Sequence, residues 1–265
     1  MAANQTRVFT DEELYQAGRL TVDIIQEKLR EGSAGEALFY LNRFRQELMT
    51  MFFSYSGWEA GILDYIESRA GPRGRQEALL AIENHAAAPE RNIATEGVAK
   101  RWESLLKEAE TQISEDLAKP ALRQLQSLHD EALQLHDGFM SRVTALLSII
   151  YTQYGDQALL KVLSKVMDPT ALDPGGTHSF RERVESVMLF ARCHLQAFKM
   201  TEDDEKVTFM PDPCPSGGRL VREGHYSAPR NNAIVRDSGP LTYGRPELPV
   251  YCCHEPAMEL VSLLK

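Results

Sequence analysis

Apolar side chains recur at helical spacing through most of the first 200 residues. Thr10 and Glu13 have the spacing of a capping box, in which a hydroxyl and a carboxylate bind the free amides of a first helical turn. Apolar and small residues then share one helix face from Leu14 to Leu29, and a second helix start follows at Ser33. The pattern predicts a mainly α-helical fold.

Glycine and proline divide this region into segments. An aromatic-rich helix covering 39–66 is expected to end at Gly71 and Pro72, because glycine tolerates a helix end and proline cannot continue the helix. Pro120 predicts a further break or kink. We expect the other helices at about 74–86, 94–117, 121–136, 138–153, 155–167 and 178–200.

Two parts of the helical region resemble each other. Residues 45–82 can be laid over 129–166, and each part has a long apolar helix, a glycine-containing turn and a second helix. A duplicated helical hairpin would produce this pattern in a pseudo-symmetric bundle. Chance similarity between amphipathic helices explains it about as well, so both interpretations stay open.

The pattern changes after Met200. Residues 206–210 alternate like a short strand, and prolines and glycines then recur every few residues from 211 to 249. A strand-like segment at 248–251 and a helix from about 255 to 264 follow. We expect a helical bundle at 1–200 and a loop-rich Cys/His region at 201–265, packed on the bundle.

Composition and charge exclude several classes of protein. A net charge of -9 argues against binding to nucleic acid or to an anionic membrane surface. No run of about 18 apolar residues is present, and the first residues lack the apolar stretch of a signal peptide. Four cysteines are too few for a disulfide scaffold in a chain of 265 residues. The sequence predicts a cytoplasmic protein.

The cysteines and one histidine lie in two loops that contain few apolar residues. One loop holds Cys214, and the other holds Cys252, Cys253 and His254. Such loops cannot be held by burial, whereas a metal bound by thiolate and imidazole can fix them. We predict a zinc site, with iron as the alternative, and take His194 as the fourth ligand among several rival histidines. Inert core cysteines or a catalytic thiol would also account for these residues.

The two loops also resemble a known pattern. Residues 213–220 are similar to P-C-x-S-G-G-R-L and residues 251–255 to Y-C-x-H-C, as found in a group of little-characterised bacterial proteins. This resemblance covers about the last 75 residues well and the helical part loosely. It implies Cys214, Cys252 and His254 as metal ligands and Cys253 as a spectator. Glu255 stands where the pattern has its second cysteine.

Other residues complete the candidate site. Glu255 is a candidate ligand or general base, although a carboxylate also suits the first turn of a helix. One of two histidines on a common helix face is expected to line a pocket, and the aromatic stretch near residue 58 forms either that pocket or plain core. We predict catalytic roles for Glu255 and His136 and substrate-binding roles for Arg219, Ser216, His129 and Trp58.

Two functions are compatible with this sequence. The favoured one is a metal-dependent enzyme of the hydrolase or lyase type that acts on a small, anionic organic molecule, because Arg219 beside two glycines can bind a carboxylate. The alternative is a ligand-binding or regulatory helical protein whose zinc is structural. The expected partner is a small-molecule substrate, and a homodimer is one assembly open to the chain.

Overall fold

The computed structural model describes residues 7–85, 95–167 and 177–263. The predicted mainly α-helical fold is confirmed. No helix among these residues is both long and apolar enough to cross a lipid bilayer. The described helices are α1 (Asp11–Gly18), α2 (Thr21–Arg30), α3 (Ala34–His85), α4 (Val98–Ser114), α5 (Ala118–Val166), α6 (Phe180–Arg192), α7 (Gly217–Arg222) and α8 (His254–Leu263).

The first helix begins as predicted and ends earlier than expected. Thr10 caps α1 through the predicted capping box with Glu13. The common apolar face from Leu14 to Leu29 had suggested one continuous helix, but Arg19 has an extended backbone conformation and separates α1 from α2. Spacing alone did not reveal this break, because the apolar positions stay in phase across it.

Helices α3 and α5 are each interrupted at a glycine. Gly71 has φ 70° and ψ −176°, and Gly155 has φ 76° and ψ −174°. The predicted end at Gly71 is confirmed, since only glycine readily adopts this backbone region. The predicted separation of 121–136 from 138–153 is wrong, because the helix continues through these residues. Pro120 lies in the first turn of α5, where a proline removes no helical hydrogen bond.

The internal sequence similarity matches the positions at which α3 and α5 begin and break. The overlay that places Arg45 on His129 also places Ala34 on Ala118 and Gly71 on Gly155, which are the starts and the breaks of α3 and α5. Duplication stays a hypothesis. If a duplication occurred, these paired positions would descend from the same residue of the original hairpin.

Contacts divide the chain into two compact units, which we call unit 1 and unit 2. Unit 1 contains residues 1–52, 94–134 and 178–215, and unit 2 contains 53–93, 135–177 and 216–265. Each unit therefore combines parts of the predicted bundle with parts of the loop-rich region. The ends predicted at residues 86, 94 and 264 lie outside the described residues, as do residues 1–6.

In unit 1 a buried arginine holds three helices together. The Arg192 guanidinium, at the end of α6, donates to the carbonyl oxygens of Gln16 and Ala17 at the end of α1. It also lies 3.3 Å from a carboxylate oxygen of Glu47 on α3, which accepts a hydrogen bond from Thr21. Buried charges of this kind are stable only when they are paired and hydrogen-bonded, as here.

The strands are short and form two antiparallel hairpins. In unit 1, β1 (Lys199–Glu202) pairs with β2 (Val207–Met210), as the alternation at 206–210 predicted for β2. The expected helix at 178–200 ends at residue 192 and gives way to β1. In unit 2, β3 (Ile234–Val235) pairs with β4 (Leu248–Pro249), and the chain then enters a 3₁₀ turn at Val250–Cys253.

The glycine breaks give a test of stability. We expect Gly155→Ala to lower the free energy of unfolding by about 1–3 kcal/mol, because alanine is strained in this backbone region. Packing will not contribute, since nothing lies within 4 Å of a Cβ atom built there. Urea denaturation measures the change.

Gly57→Ala is the matched control, because this glycine is inside α3 and an added Cβ atom also meets nothing within 4 Å. There we expect a gain of about 0.5–1 kcal/mol from the reduced entropy of the unfolded chain. Equal unfolding midpoints for the two variants would contradict the strain at Gly155.

Candidate functional site

Seven predicted site residues belong to unit 2 and three to unit 1. Those in unit 2 are Trp58, His136, Ser216, Arg219, Cys252, His254 and Glu255. Those in unit 1 are His129, His194 and Cys214.

A chain of aromatic rings links two buried histidines of unit 2, His136 and His254. Tyr55 packs edge-on against His136, with ring centroids 5.4 Å apart, and against Trp58 at 5.1 Å. Trp58 lies 6.0 Å from His254, which packs against Tyr251 at 4.8 Å. Aromatic packing therefore brings together three of the predicted residues, His136, Trp58 and His254, in one cluster.

The imidazole of His254 is held at both nitrogens. Its Nδ1 lies 2.7 Å from the carbonyl oxygen of Tyr251, which can only accept, so Nδ1 carries a proton. Its Nε2 lies 3.1 Å from Oε1 of Glu255. In a neutral ring this geometry would point the Nε2 lone pair at a carboxylate oxygen. A proton or a cation between the two atoms removes that repulsion.

The charges of this pair follow from the geometry. Burial lowers the pKa of His254, but Glu255 and the Tyr251 carbonyl outweigh burial and raise the pKa above 6.5 overall. The hydrogen bond from His254 lowers the pKa of Glu255, against a smaller opposite effect of burial. Without a metal, the pair is therefore a charged imidazolium–carboxylate pair at mildly acidic pH.

The loop before His254 is helical rather than strand-like. Cys252 lies in the 3₁₀ turn and His254 begins α8. Residues two apart in a 3₁₀ turn differ in direction by roughly 240°, so the side chains of Cys252 and His254 point different ways. The Cys252 sulfur packs where a Cβ atom on Gly217 would stand, so a larger residue than glycine would collide with it.

Burial raises the pKa of three other acidic side chains around this turn. Desolvation raises the pKa of the Cys253 thiol to about 12 and raises the pKa of the Tyr226 hydroxyl. It also raises the pKa of Tyr251, whose hydroxyl lies near Ser216 and Tyr55. A neutral, buried thiol is a poor nucleophile. The role of Cys253 as a spectator at the metal site stays a prediction.

His136 belongs to a second polar network. Its Nδ1 lies 3.1 Å from Oδ1 of Asp137, which is also 3.1 Å from Nε of Arg219. Arg219 Nη1 lies 2.7 Å from Oε2 of Glu223, and the same oxygen is 3.4 Å from Nε2 of His225. Acidic and basic groups thus alternate through a largely buried chain of five side chains. Burial lowers the pKa of His136, and its ring is neutral at pH 7.

Arg219 is positioned by a helix that the sequence analysis missed. Residues 201–265 were expected to be rich in loops, but Gly217–Arg222 is α7, and Glu223 follows it at the i+4 position from Arg219. An arginine and a glutamate four residues apart form an ion pair when they lie on a helix. The sequence did not predict a helix here, because two glycines are weak helix formers. Two carboxylates therefore bind the guanidinium that was predicted to bind substrate.

The candidate residues of unit 1 have contacts of their own within that unit. His129 Nε2 lies 3.1 Å from the carbonyl oxygen of Leu195, and His194 packs edge-on against Phe190. Cys193 is buried, its thiol donates to the Leu189 carbonyl, and desolvation raises its pKa. Cys214 is half-buried.

Across residues 7–85, 95–167 and 177–263, no three His, Cys, Asp or Glu side chains form a group that could hold a metal ion. Joint ligation by Cys214, Cys252, His254 and His194 stays a prediction. Comparison with family models, curated proteins and solved structures gave no match.

The His254–Glu255 pair predicts a pH dependence. In protein freed of metal with a chelator, we expect the wild-type chain to be more stable than Glu255→Gln, most strongly between pH 4.5 and 6.5, the ordinary pKa values of the two groups. A raised histidine pKa gives stability that is lost as pH rises through the folded value. A lowered glutamate pKa gives stability that is lost as pH falls through the folded value.

Histidine NMR titration together with urea denaturation at several pH values measures both effects. The pKa of His254 should fall in Glu255→Gln and stay unchanged in Glu247→Gln, a change at an exposed carboxylate of the same unit. A His254 pKa below 6.5 in the wild-type chain would rule out the charged pair.

Proposed function

We propose that unit 2 carries the catalytic centre of a metal-dependent enzyme of the hydrolase or lyase type, which acts on a small organic molecule. The observation that supports this most is the anchored ring of His254, whose Nδ1 is bound by a carbonyl and whose Nε2 lies 3.1 Å from a carboxylate oxygen. Metal-binding histidines commonly have such a carbonyl partner on the nitrogen that does not bind the metal.

The donor atoms fit zinc. Two ligands that bind one zinc ion at 2.0–2.2 Å in tetrahedral geometry lie roughly 3.3 Å apart, close to the separation of His254 Nε2 and Glu255 Oε1. Cys252, two residues before His254, is the next ligand that the sequence predicts, and Cys214 and His194 are the others. Iron is the alternative metal. A bound zinc ion would supply Lewis-acid activation of water or of a carbonyl group.

His136 is suited to proton transfer. Asp137 lies against its Nδ1 and keeps the proton there, so Nε2 is the basic nitrogen of the neutral ring. Arg219 acts on Asp137 and thereby positions the imidazole through a second residue. A buried, neutral histidine with one nitrogen fixed by a carboxylate is an arrangement used in general base catalysis.

The proposal that the substrate is anionic depends on Arg219. Asp137 and Glu223 already bind its guanidinium, so an incoming carboxylate would have to replace one of them. Glu223 is the more exposed of the two carboxylates, at 28% against 16%, and is the one more easily replaced.

The same pair supports a second candidate, an enzyme that uses no metal. A histidine and a carboxylate at 3.1 Å also form an acid–base pair, in which the imidazolium donates a proton and the carboxylate sets its pKa. The two candidates differ in what lies between Nε2 and Oε1, a metal ion or a proton.

Metal content distinguishes these candidates. In protein purified without a nickel column, we expect about one zinc or iron per chain, and a loss of metal affinity of more than about tenfold in His254→Ala. Cys214→Ser should lose metal as well if the sequence-predicted ligand set is correct. Elemental analysis by mass spectrometry gives the stoichiometry. Cys253→Ala is the control and should keep its metal; equal metal in His254→Ala and Cys253→Ala would eliminate the proposed site.

An exchangeable coordination position would distinguish catalysis from a structural role. With Co²⁺ in place of the native metal, we expect a thiolate charge-transfer band that weakens in Cys252→Ser and keeps its intensity in Cys253→Ala. Added azide should shift the visible bands, because a catalytic site keeps one position open to solvent. A spectrum unchanged by azide would indicate a closed site and favour the ligand-binding or regulatory alternative.

A further inference from the structure

Unit 1 contains a groove that the proposed chemistry does not use. It has a volume of about 730 Å³ and lies between α1 and the chain from Ala197 to Glu202, which includes β1. Asp11, Leu14, Tyr15 and Gly18 line one side and share one face of α1. The volume is in the range of roughly 300–1,000 Å³ that is usual for ligand sites.

The groove follows the edge of β1 and not one of its faces. Side chains of a strand point alternately to opposite faces, yet all six residues of 197–202 line the groove. Met200 points to the apolar core of unit 1, while Lys199 and Thr201 are exposed on the other face. A cavity that touches both sets must lie beside the backbone.

Along this edge of β1, main-chain groups of two residues have no partner in the part of the chain that the structure describes. The Asp203 amide donates to the Lys206 carbonyl, and hydrogen-bonded residues alternate along an antiparallel ladder. Thr201 and Lys199 therefore bond to β2. Met200 and Glu202 point their N–H and C=O groups away from β2. The Phe198 amide, which is in the same phase, donates to the Gly18 carbonyl at 2.9 Å. Within the described residues, no hydrogen bond reaches the outward groups of Met200 and Glu202.

We propose that this groove binds an extended peptide segment of another protein, which adds to β1 as a third strand. The outward groups of two residues offer two donors and two acceptors to such a strand. Main-chain pairing of this kind gives affinity, and the alternating side chains give selectivity.

The lining predicts an alternating apolar and acidic peptide. Side chains of the added strand that point inward lie on the side of Leu14 and Met200, two apolar residues that line the groove. Those that point outward lie beside Lys199, which has no ion-pair partner among the described residues. A carboxylate there forms a favourable cross-strand pair.

Three carboxylates also line the groove and would repel an acidic peptide, but two of them already have partners. Glu202 already accepts the amides of Val8 and Phe9, at 2.8 and 2.9 Å. Asp11 is paired with Arg7 at 2.6 Å. Asp212 is the third carboxylate of the lining.

Fluorescence anisotropy of the full chain with a labelled peptide, Gly-Val-Glu-Val-Glu-Val-Gly, tests the proposal. We expect saturable binding, and about fivefold weaker binding to Lys199→Glu, because the sign of the cross-strand pair is reversed. Lys206→Glu is the matched control, with the same charge change on the same hairpin outside the groove, and should change affinity less than about twofold. A peptide with proline in place of the central valine should bind at least about tenfold more weakly, because it lacks one main-chain donor.

Amide hydrogen exchange reports on the pairing itself. Saturating peptide should protect the amides of Met200 and Glu202 and leave that of Thr201 unchanged. No anisotropy change with any of the peptides, equal binding of the proline peptide, or unchanged exchange at Met200 would each overturn the proposal. Concentration-dependent self-association that protects the same amides without peptide would also overturn it, since the occupant would then be a second copy of this chain.

Discussion

A backbone conformation that only glycine readily adopts interrupts both long helices, and the layout of unit 2 depends on it. Gly71 and Gly155 have nearly the same φ and ψ angles. Both glycines lie in unit 2. The long helices α3 and α5 therefore each supply this unit with one helical segment before the glycine and another after it. Because the strain of any other residue here is about 1–3 kcal/mol, the positions of these two glycines decide where the apolar helices of the unit end.

Around these helices, unit 2 buries polar side chains that satisfy one another. His136, Asp137, Arg219, Glu223 and His225 form one series of alternating charge. The buried His254 pairs with Glu255, whose side chain is 59% exposed. Buried polar groups of this kind are expensive unless they are hydrogen-bonded, and they fix side-chain positions when they are. The result is two oriented histidines, one with a lowered and one with a raised pKa, linked by aromatic rings. Such a division of pKa values is what acid–base chemistry requires.

Unit 1 combines a buried ion pair with an open strand edge. Arg192 binds main-chain carbonyls at the end of α1. On the outer side of the neighbouring β1, two residues have no main-chain partner among the described residues. Catalytic chemistry and peptide binding are thus proposed for different sets of residues, and the tests of one do not depend on the other.

The sequence by itself determined the helical class, the cap at Thr10, the break at Gly71, the strand β2 and the final helix. These features depend on periodicity and on residues with special backbone preferences, which act over a few positions. It also singled out His136, Trp58 and His254, which share one aromatic cluster. Only the tertiary structure decided that Arg219 binds Asp137 and Glu223, that Cys252 lies in a 3₁₀ turn, and that α1 and α2 are separate. Those outcomes depend on contacts between residues far apart in the chain, where packing and the pairing of buried charges override local preference.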